Sequence, residues 1–302
     1  MTTRSEKLAA GKFPVDAALV ARLVAEQFPH WAGLPVEPVA EDGWDNWTFR
    51  LGSAMKVRLP SAEGYAGQTA KESHWLPRLA PHLPCAIPAP LATGAPNAAF
   101  PWAWSVYGWI EGEPVTAATG LAGLADDVAD FLNALQAIDP TGGPVPGAHN
   151  YLRGAHPVAV YGAEARRHIE LLRDRIDVAA AQAVLDTAQH SAAERAVWVH
   201  GDMAAGNLLL RDGRLSGVLD FGCLAVGDPS CDLAIAWVVL DEASRRRFRA
   251  RLGLDAACWA RGRAWALWKA ALLAVSGQAI HPAERPPLEV IAAILADHRA
   301  GN

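Results

Sequence analysis

The sequence predicts an α+β chain in two lobes, a small β-rich amino-terminal lobe over residues 1–110 and a larger, mainly helical lobe over residues 111–302. Three observations carry this. The first third of the chain reads as a hairpin, a helix and a further strand, whereas most of the rest shows helical spacing of apolar residues. Glu111-Gly112-Glu113-Pro114 closes an aromatic, β-branched run and punctuates the change. A length of 302 residues accommodates one large domain or two lobes sharing a cleft.

In chain order, Val15 to Phe28 has helical spacing and is stopped by Pro29 and Pro35. Trp47 to Leu51 alternates as a strand does, Gly52-Ser53 turns, and Met55 to Leu59 returns. Ala66 to Leu79 is a helix whose last turn Pro77 disturbs. Pro81 to Pro101 is a proline- and alanine-rich loop with a short strand near Ile87, and Trp102 to Ile110 is a strand. Leu121 to Ile138 is amphipathic, with Asp126, Asp127 and Asp130 on its wet side. A glycine- and proline-rich loop, Thr141 to Gly154, precedes helices near Gly162 to Arg175 and Val178 to Gln189. Three short strands follow, Ala196 to Val199, Asn207 to Arg211 and Leu215 to Leu219, the last two joined by an Asp212-Gly213 turn. Helices return at Pro229 to Leu240, Ala256 to Val275 and Pro287 to Asp297.

Composition excludes several classes. A formal net charge of -5 gives no support for a nucleic-acid partner. Four cysteines without zinc-type spacing read as free thiols, so neither a disulfide framework nor structural zinc is expected. The start lacks the apolar core of a signal peptide, and no run of eighteen apolar residues exists. The expectation is a cytoplasmic protein, a monomer or homodimer, with no membrane span. Asn46-Trp47-Thr48 fits the glycosylation pattern but is incidental without an export signal.

The chemistry concentrates in Trp198 to Trp237. Asp202 follows a short apolar strand and a glycine, Asn207 stands where the next strand begins, and Asp220 ends the strand that returns through the hairpin. The two strand ends should therefore lie close together, presenting oxygen donors suited to Mg²⁺. Phosphoryl transfer needs a cation on the phosphates and a carboxylate that receives or orients the attacking hydroxyl. Asn207 and Asp220 suit the metal role and Asp202 the hydroxyl role. A loop aspartate also commonly caps a helix or forms an Asx turn, and that reading applies to each of the three singly. For Asp228, before Pro229, and for Asp232, capping or bracing of the catalytic loop is the expectation, and for His200 a packed imidazole holding the loop.

These residues resemble the aminoglycoside phosphotransferase family. The resemblance lies in His200-Gly201-Asp202, Asn207-Leu208-Leu209, Asp220-Phe221-Gly222, Gly227-Asp228-Pro229 and Asp232-Leu233-Ala234, in order and spacing over about forty residues. It implies the bilobal protein-kinase-like fold, ATP or GTP as donor, Asp202 as catalytic aspartate, and Asn207 with Asp220 as magnesium ligands. Such a fold also needs a loop over the phosphates, a strand cation and a helix carboxylate to hold it. The loop is Glu41 to Asn46, whose one glycine is Gly43, so the G-x-G-x-x-G pattern is absent. Lys56 and Arg58 share a strand face, with Arg58 favoured, and Glu72 on the next helix is the pairing carboxylate. Tyr107 to Ile110 is the expected link between the lobes, where a purine would bind backbone; Trp109 either faces the base or belongs to the core.

The acceptor implied by the resemblance is an aminoglycoside-type antibiotic. The same mechanism in this family also serves macrolides, amino alcohols, sugars and other metabolites. An aminoglycoside is a polycation and calls for several carboxylates. Asp126, Asp127, Asp130, Asp139, Asp241 and Glu242 are the candidates, with Arg245 to Arg247 beside the last two. Trp259, Trp265 and Trp268 suit core packing better than an apolar acceptor wall. Two further classes stay open. A metal-dependent hydrolase would need no nucleotide, and a non-catalytic nucleotide-binding protein would be expected to lack one of Asp202, Asn207 and Asp220.

Overall fold

A computed structural model describes residues 4–39, 42–193 and 195–301. The chain divides into two compact units, one running to Pro81 and including Ala86–Glu111, the other comprising His82–Cys85 and everything from Gly112.

The first unit is built on a five-stranded antiparallel sheet, in the order β1 (Val36–Pro38), β2 (Asn46–Leu51), β3 (Met55–Pro60), β5 (Trp104–Gly108), β4 (Pro90–Gly94). Its helices are α1 (Arg4–Ala9), α2 (Ala17–Gln27) and α3 (Gly67–Leu79). Asp16 caps α2 by accepting from the Leu19 amide at 2.7 Å. The buried face of α2, Leu19, Val20, Leu23 and Val24, meets Phe49, Leu51, Val57, Trp104 and Val106 in one core. The hairpin pairs Thr48 with Arg58 and Leu51 with Met55, the register that its alternation requires. The strand expected near Ile87 lies instead at Pro90–Gly94, where Gly94 lets the Trp104 indole pack against the backbone. Asn46 is buried and donates to Gln68, so the Asn46-Trp47-Thr48 pattern has no exposed acceptor.

The second unit contains α4 (Leu121–Ala137), α5 (Pro157–Leu171), α6 (Val178–Gln189), α7 (Ile235–Val238), α8 (Glu242–Leu252), α9 (Ala256–Ser276) and α10 (Pro287–Arg299). Two small antiparallel sheets accompany them. One pairs β7 (Val197–Val199) with β10 (Ala225–Gly227); the other runs β6 (Glu113–Pro114), β8 (Leu208–Arg211), β9 (Arg214–Val218). The helix α9 is the hub, buried from Cys258 to Trp268 and in contact with α5, α6 and α10. Pro229 to Leu240 is not one helix: a 3₁₀ helix covers Pro229–Ala234, and α7 is a single turn. The helix read near Gly162 to Arg175 begins five residues earlier, with Pro157 at its first position. Asp127 is buried rather than on the wet side of α4, because Arg214 and the Leu215 amide bind its carboxylate. No described helix is long and apolar enough to cross a membrane, and all four cysteines are free.

Candidate active site

The catalytic segment begins where β7 ends. Gly201 adopts φ +83°, and a Cβ there would lie 2.5 Å from the Cys223 carbonyl, so only glycine permits this turn. Asp232, fully buried, reaches back from the 3₁₀ helix and accepts from the His200 amide at 2.9 Å and the Gly201 amide at 2.7 Å. Burial pushes the Asp232 carboxyl above its ordinary range, and the two amides partly oppose that shift. The imidazole of His200, also fully buried, accepts from the Asp202 amide at Nδ1 (3.2 Å) and bonds the Leu219 carbonyl through Nε2 (2.9 Å). That pairing requires the neutral ring with its proton on Nε2, which suits a positioning group rather than a general base.

Asp202 is half-buried. The Asn207 side chain donates to the Asp202 carbonyl at 2.9 Å and to its carboxylate at 3.4 Å. The Leu219 amide in turn donates to the Asn207 carbonyl at 2.7 Å, beside the Leu208–Val218 pair of the hairpin. The Asp212-Gly213 turn that sets this register has positive φ at both residues, as a two-residue hairpin loop prefers. Asp220 follows directly in the left-handed region (φ 60°, ψ 75°) and accepts from the Gly222 amide at 3.4 Å. Aspartate tolerates that conformation better than most side chains, and such backbone clusters at functional sites. Asp202, Asn207 and Asp220 are thus brought together by hydrogen bonds through three consecutive segments.

Among the described residues no cluster of three His, Cys, Asp or Glu side chains could hold a metal. The donor set fits Mg²⁺ nonetheless. With its side-chain nitrogen turned to Asp202, Asn207 keeps an amide oxygen available, and Asp220 supplies one carboxylate. Mg²⁺ commonly takes one or two protein oxygens and completes its shell with phosphate and water.

Asp228 caps the 3₁₀ helix by accepting from the Ser230 amide at 3.1 Å. It also forms a buried two-pronged pair with Arg261 of α9, at 2.6 and 3.2 Å. Sequence reasoning missed Arg261, and it missed Arg153 at the end of the loop preceding α5. Tyr151 and Leu152, just before Arg153, both have positive φ, an anomaly that only the structure reveals. Buried Asn150 ties that loop to the site by donating to the Arg153 carbonyl (2.8 Å) and the Cys223 carbonyl (3.2 Å).

Within the first unit, Arg58 meets Glu72 at 3.4 Å, and buried Tyr107 donates to the other Glu72 oxygen. The Tyr107 side chain is committed to Glu72 and raised well above its ordinary pKa, by burial first and then by that carboxylate. Beyond it, the Gly108 and Trp109 amides donate to the Ala89 and Ala54 carbonyls at 3.0 and 2.8 Å. Lys56 stands opposite Tyr107 in the β3–β5 register. Trp109 is half-buried, with the Arg50 guanidinium 3.7 Å from its ring centroid, so it is neither core nor bare. Gly43 is exposed; Glu41 of the same loop lies outside the described residues. Lys7 of α1, fully buried, bonds Asp42 and the Asn46 carbonyl (2.7 Å), anchoring the loop at both ends.

The model of the phosphotransferase enzyme family matches residues 36–265, and the chain belongs to that family. Its protein-kinase-like fold is shared with the GDP complex of wild-type aminoglycoside 2'-phosphotransferase-IIIa (TM-score 0.67, 18% identity, 94% of this chain and 100% of that one). The streptomycin–ATP–APH(2")-IIa ternary complex is also similar (0.59, 18%, 94% and 97%). So is the macrolide 2'-phosphotransferase MphH from Brachybacterium faecium (0.57, 21%, 93% and 98%). A search of curated protein sequences gave no match.

Proposed function

We propose that this phosphotransferase moves the γ-phosphoryl group of ATP or GTP onto a hydroxyl of a small molecule, with Asp202 as the catalytic carboxylate. The observation that carries the reading is the convergence of Asp202, Asn207 and Asp220, with the Asn207 side chain on the Asp202 carbonyl and the Leu219 amide on the Asn207 carbonyl. In the transfer, the acceptor oxygen forms a bond to the γ-phosphorus while the bond to the β–γ bridging oxygen breaks. The nucleoside diphosphate leaves with that electron pair, and the hydroxyl proton passes to the Asp202 carboxylate.

Mg²⁺, held by Asn207 and Asp220, would neutralise charge on the phosphates. Arg58, oriented by Glu72, is the phosphate cation of the first unit, ahead of Lys56. Gly43 belongs to the loop over the phosphates, and the backbone at Tyr107 and Trp109 would receive the base. Nucleotides appear in the names of similar structures as GDP, ATP and ADP complexes, which supports a nucleotide donor without choosing between purines. Kanamycin, gentamicin and macrolides belong to those proteins; the acceptor of this one is argued from its own residues below.

Asp202→Asn tests the proposal. It should lower turnover by about 10²–10⁴-fold while Mg-nucleotide affinity is retained. Ordinary turnover in this variant, measured as nucleoside diphosphate release, would remove Asp202 from the mechanism. A hydrolase would act without any nucleotide, and a non-catalytic binder would release no diphosphate even in the wild type.

A further inference from the structure

Resting on that reading, we infer that the acceptor is an anionic hydroxylated compound, its carboxylate or phosphate held by Arg153 and Lys269 beside Asp202. The second unit has a narrow cleft of about 20 Å³, lined by Asp202, Met203, Arg153, Trp265 and Lys269, with Met203 and Trp265 themselves buried. Two of its three charged side chains are cations. The Arg153 guanidinium lies 4.9 Å from the Trp265 ring centroid and 4.7 Å from that of Trp268. Those rings meet edge to face at 5.8 Å, and Tyr161 stacks on Trp268 at 4.2 Å. The aromatic wall fixes the guanidinium plane without neutralising it. No carboxylate pairs with Arg153 among the described ion pairs, and its buried Nε has no hydrogen-bond partner. A guanidinium so placed offers donors to a planar anion.

Glu164 is committed to the Trp268 indole, accepting at 2.7 Å, and Glu284 is ion-paired with Lys269 at 3.8 Å, a separation beyond hydrogen-bond length that leaves the ammonium donors to a ligand. Elsewhere in the unit Asp126, Asp127 and Asp130 are paired with Arg247, Arg214 and Arg251. Asp241 caps α8 through the Ser244 amide, Glu242 pairs with Arg246, and Asp139 binds Thr141. A polycationic acceptor would therefore meet Arg153 and Lys269 at the catalytic aspartate with few carboxylates available to oppose them. An anion there would complete Arg153, while Trp265 and Trp268 stay packed behind the guanidinium as core. The backbone of Arg153 is pinned by Asn150, so the guanidinium stands on a rigid base.

The test uses three probes on one skeleton, 3-hydroxypropanoate, its primary amide, and 3-aminopropan-1-ol, with kanamycin as a polycation. Phosphorylated product is followed by mass with ATP and GTP separately. The hydroxy acid should exceed the amide in kcat/KM by at least about tenfold, with the amine and kanamycin lowest. Arg153→Gln and Lys269→Gln should each shrink that acid-to-amide ratio by about tenfold through KM for the acid, whereas a merely structural role would lower both substrates together. Arg153→Lys, which keeps the charge, should restore part of the ratio. Equal or better use of the amide, the amine or kanamycin overturns the inference, as does a ratio unmoved by both Gln variants. Asp202-dependent phosphorylated product from any of the four probes tests the phosphotransferase reading, so loss of the charge preference alone leaves that reading intact, and its own failure is seen separately.

Discussion

His200 illustrates how single residues in this site divide the work. Its ring receives the Asp202 amide on one side and holds the Leu219 carbonyl on the other, so one imidazole links the segment bearing the carboxylate to the strand end before Asp220. The metal assignment is tested at Asp220 itself. Asp220→Ala should weaken Mg-nucleotide binding by at least about tenfold in a titration, and unchanged affinity would refute its place there. In the first unit the choice between two cations two residues apart becomes a kinetic comparison. Arg58 is paired with Glu72, whose other oxygen is bound by Tyr107, so its position is fixed from two directions. Arg58→Ala should raise the nucleotide KM by about tenfold or more, and by more than Lys56→Ala does; the opposite order would transfer the role to Lys56. The nearness of Asp202, Asn207 and Asp220 was legible in the sequence because short strands with a firm turn signal place their ends together. Arg153 was not legible: its significance comes from rings in α5 and α9 that lie far along the chain, and no local pattern marks it.

At the scale of elements, α4 and the β8–β9 hairpin are joined by one buried carboxylate. Asp127 accepts from Arg214 Nε at 2.9 Å and Nη2 at 2.6 Å, and from the Leu215 amide at 3.0 Å. The hairpin's far end carries Asn207 and leads to Asp220, so this tie steadies the cation ligands. The hydrogen bonds from Arg214 hold the Asp127 carboxyl below its ordinary range. A lowered folded pKa means that this stabilisation is complete above the unfolded value near pH 4 and is lost as pH falls through the folded value. Asp127→Asn should cost about 1–3 kcal/mol at neutral pH. The gap in Tm between wild type and variant should stay constant from about pH 5 to 8 and narrow below about pH 4. A gap independent of pH would show that the charge of Asp127 contributes nothing. The hairpin was readable from alternation and Asp212-Gly213. The helix α8 was not, because Glu242–Leu252 carries five arginines and buries only Ser244, Arg245, Phe248 and Leu252, too thin an apolar stripe for a periodicity argument. The run from Pro229 to Leu240 misled in the opposite sense. Its apolar residues are buried on all sides, and Asp232 is drawn back to the His200 and Gly201 amides, which favours a 3₁₀ turn over a continuous helix.

At the scale of the whole molecule, the two units have separate cores, and their stabilities can be perturbed separately. The first is organised around α2 and its sheet, and its own buried charges, Lys7 and Glu72, pair with Asp42 and Arg58. The second encloses charge: Asp228 and Arg261 are 3% and 2% exposed, and their pair connects the segment after β10 to the hub helix α9. Gly227, beside Asp228, packs so tightly on Gly154 that a Cβ would approach its carbonyl oxygen to 2.3 Å. The Asp228 amide then donates to that same carbonyl at 2.7 Å. Removing one member of such a pair leaves the other charge buried without its partner, at a cost of about 3–5 kcal/mol. Arg261→Ala should therefore collapse hydrogen-exchange protection across α9, the 3₁₀ helix after Asp228 and the His200–Gly201 turn, and lower turnover with it. Protection in β2, β3 and β5 should remain near that of the wild type, because no part of their core depends on this pair. If protection instead fell equally in both units, the chain would unfold as a single cooperative body, and the catalytic segment would owe its rigidity to the whole fold rather than to the buried Asp228–Arg261 contact.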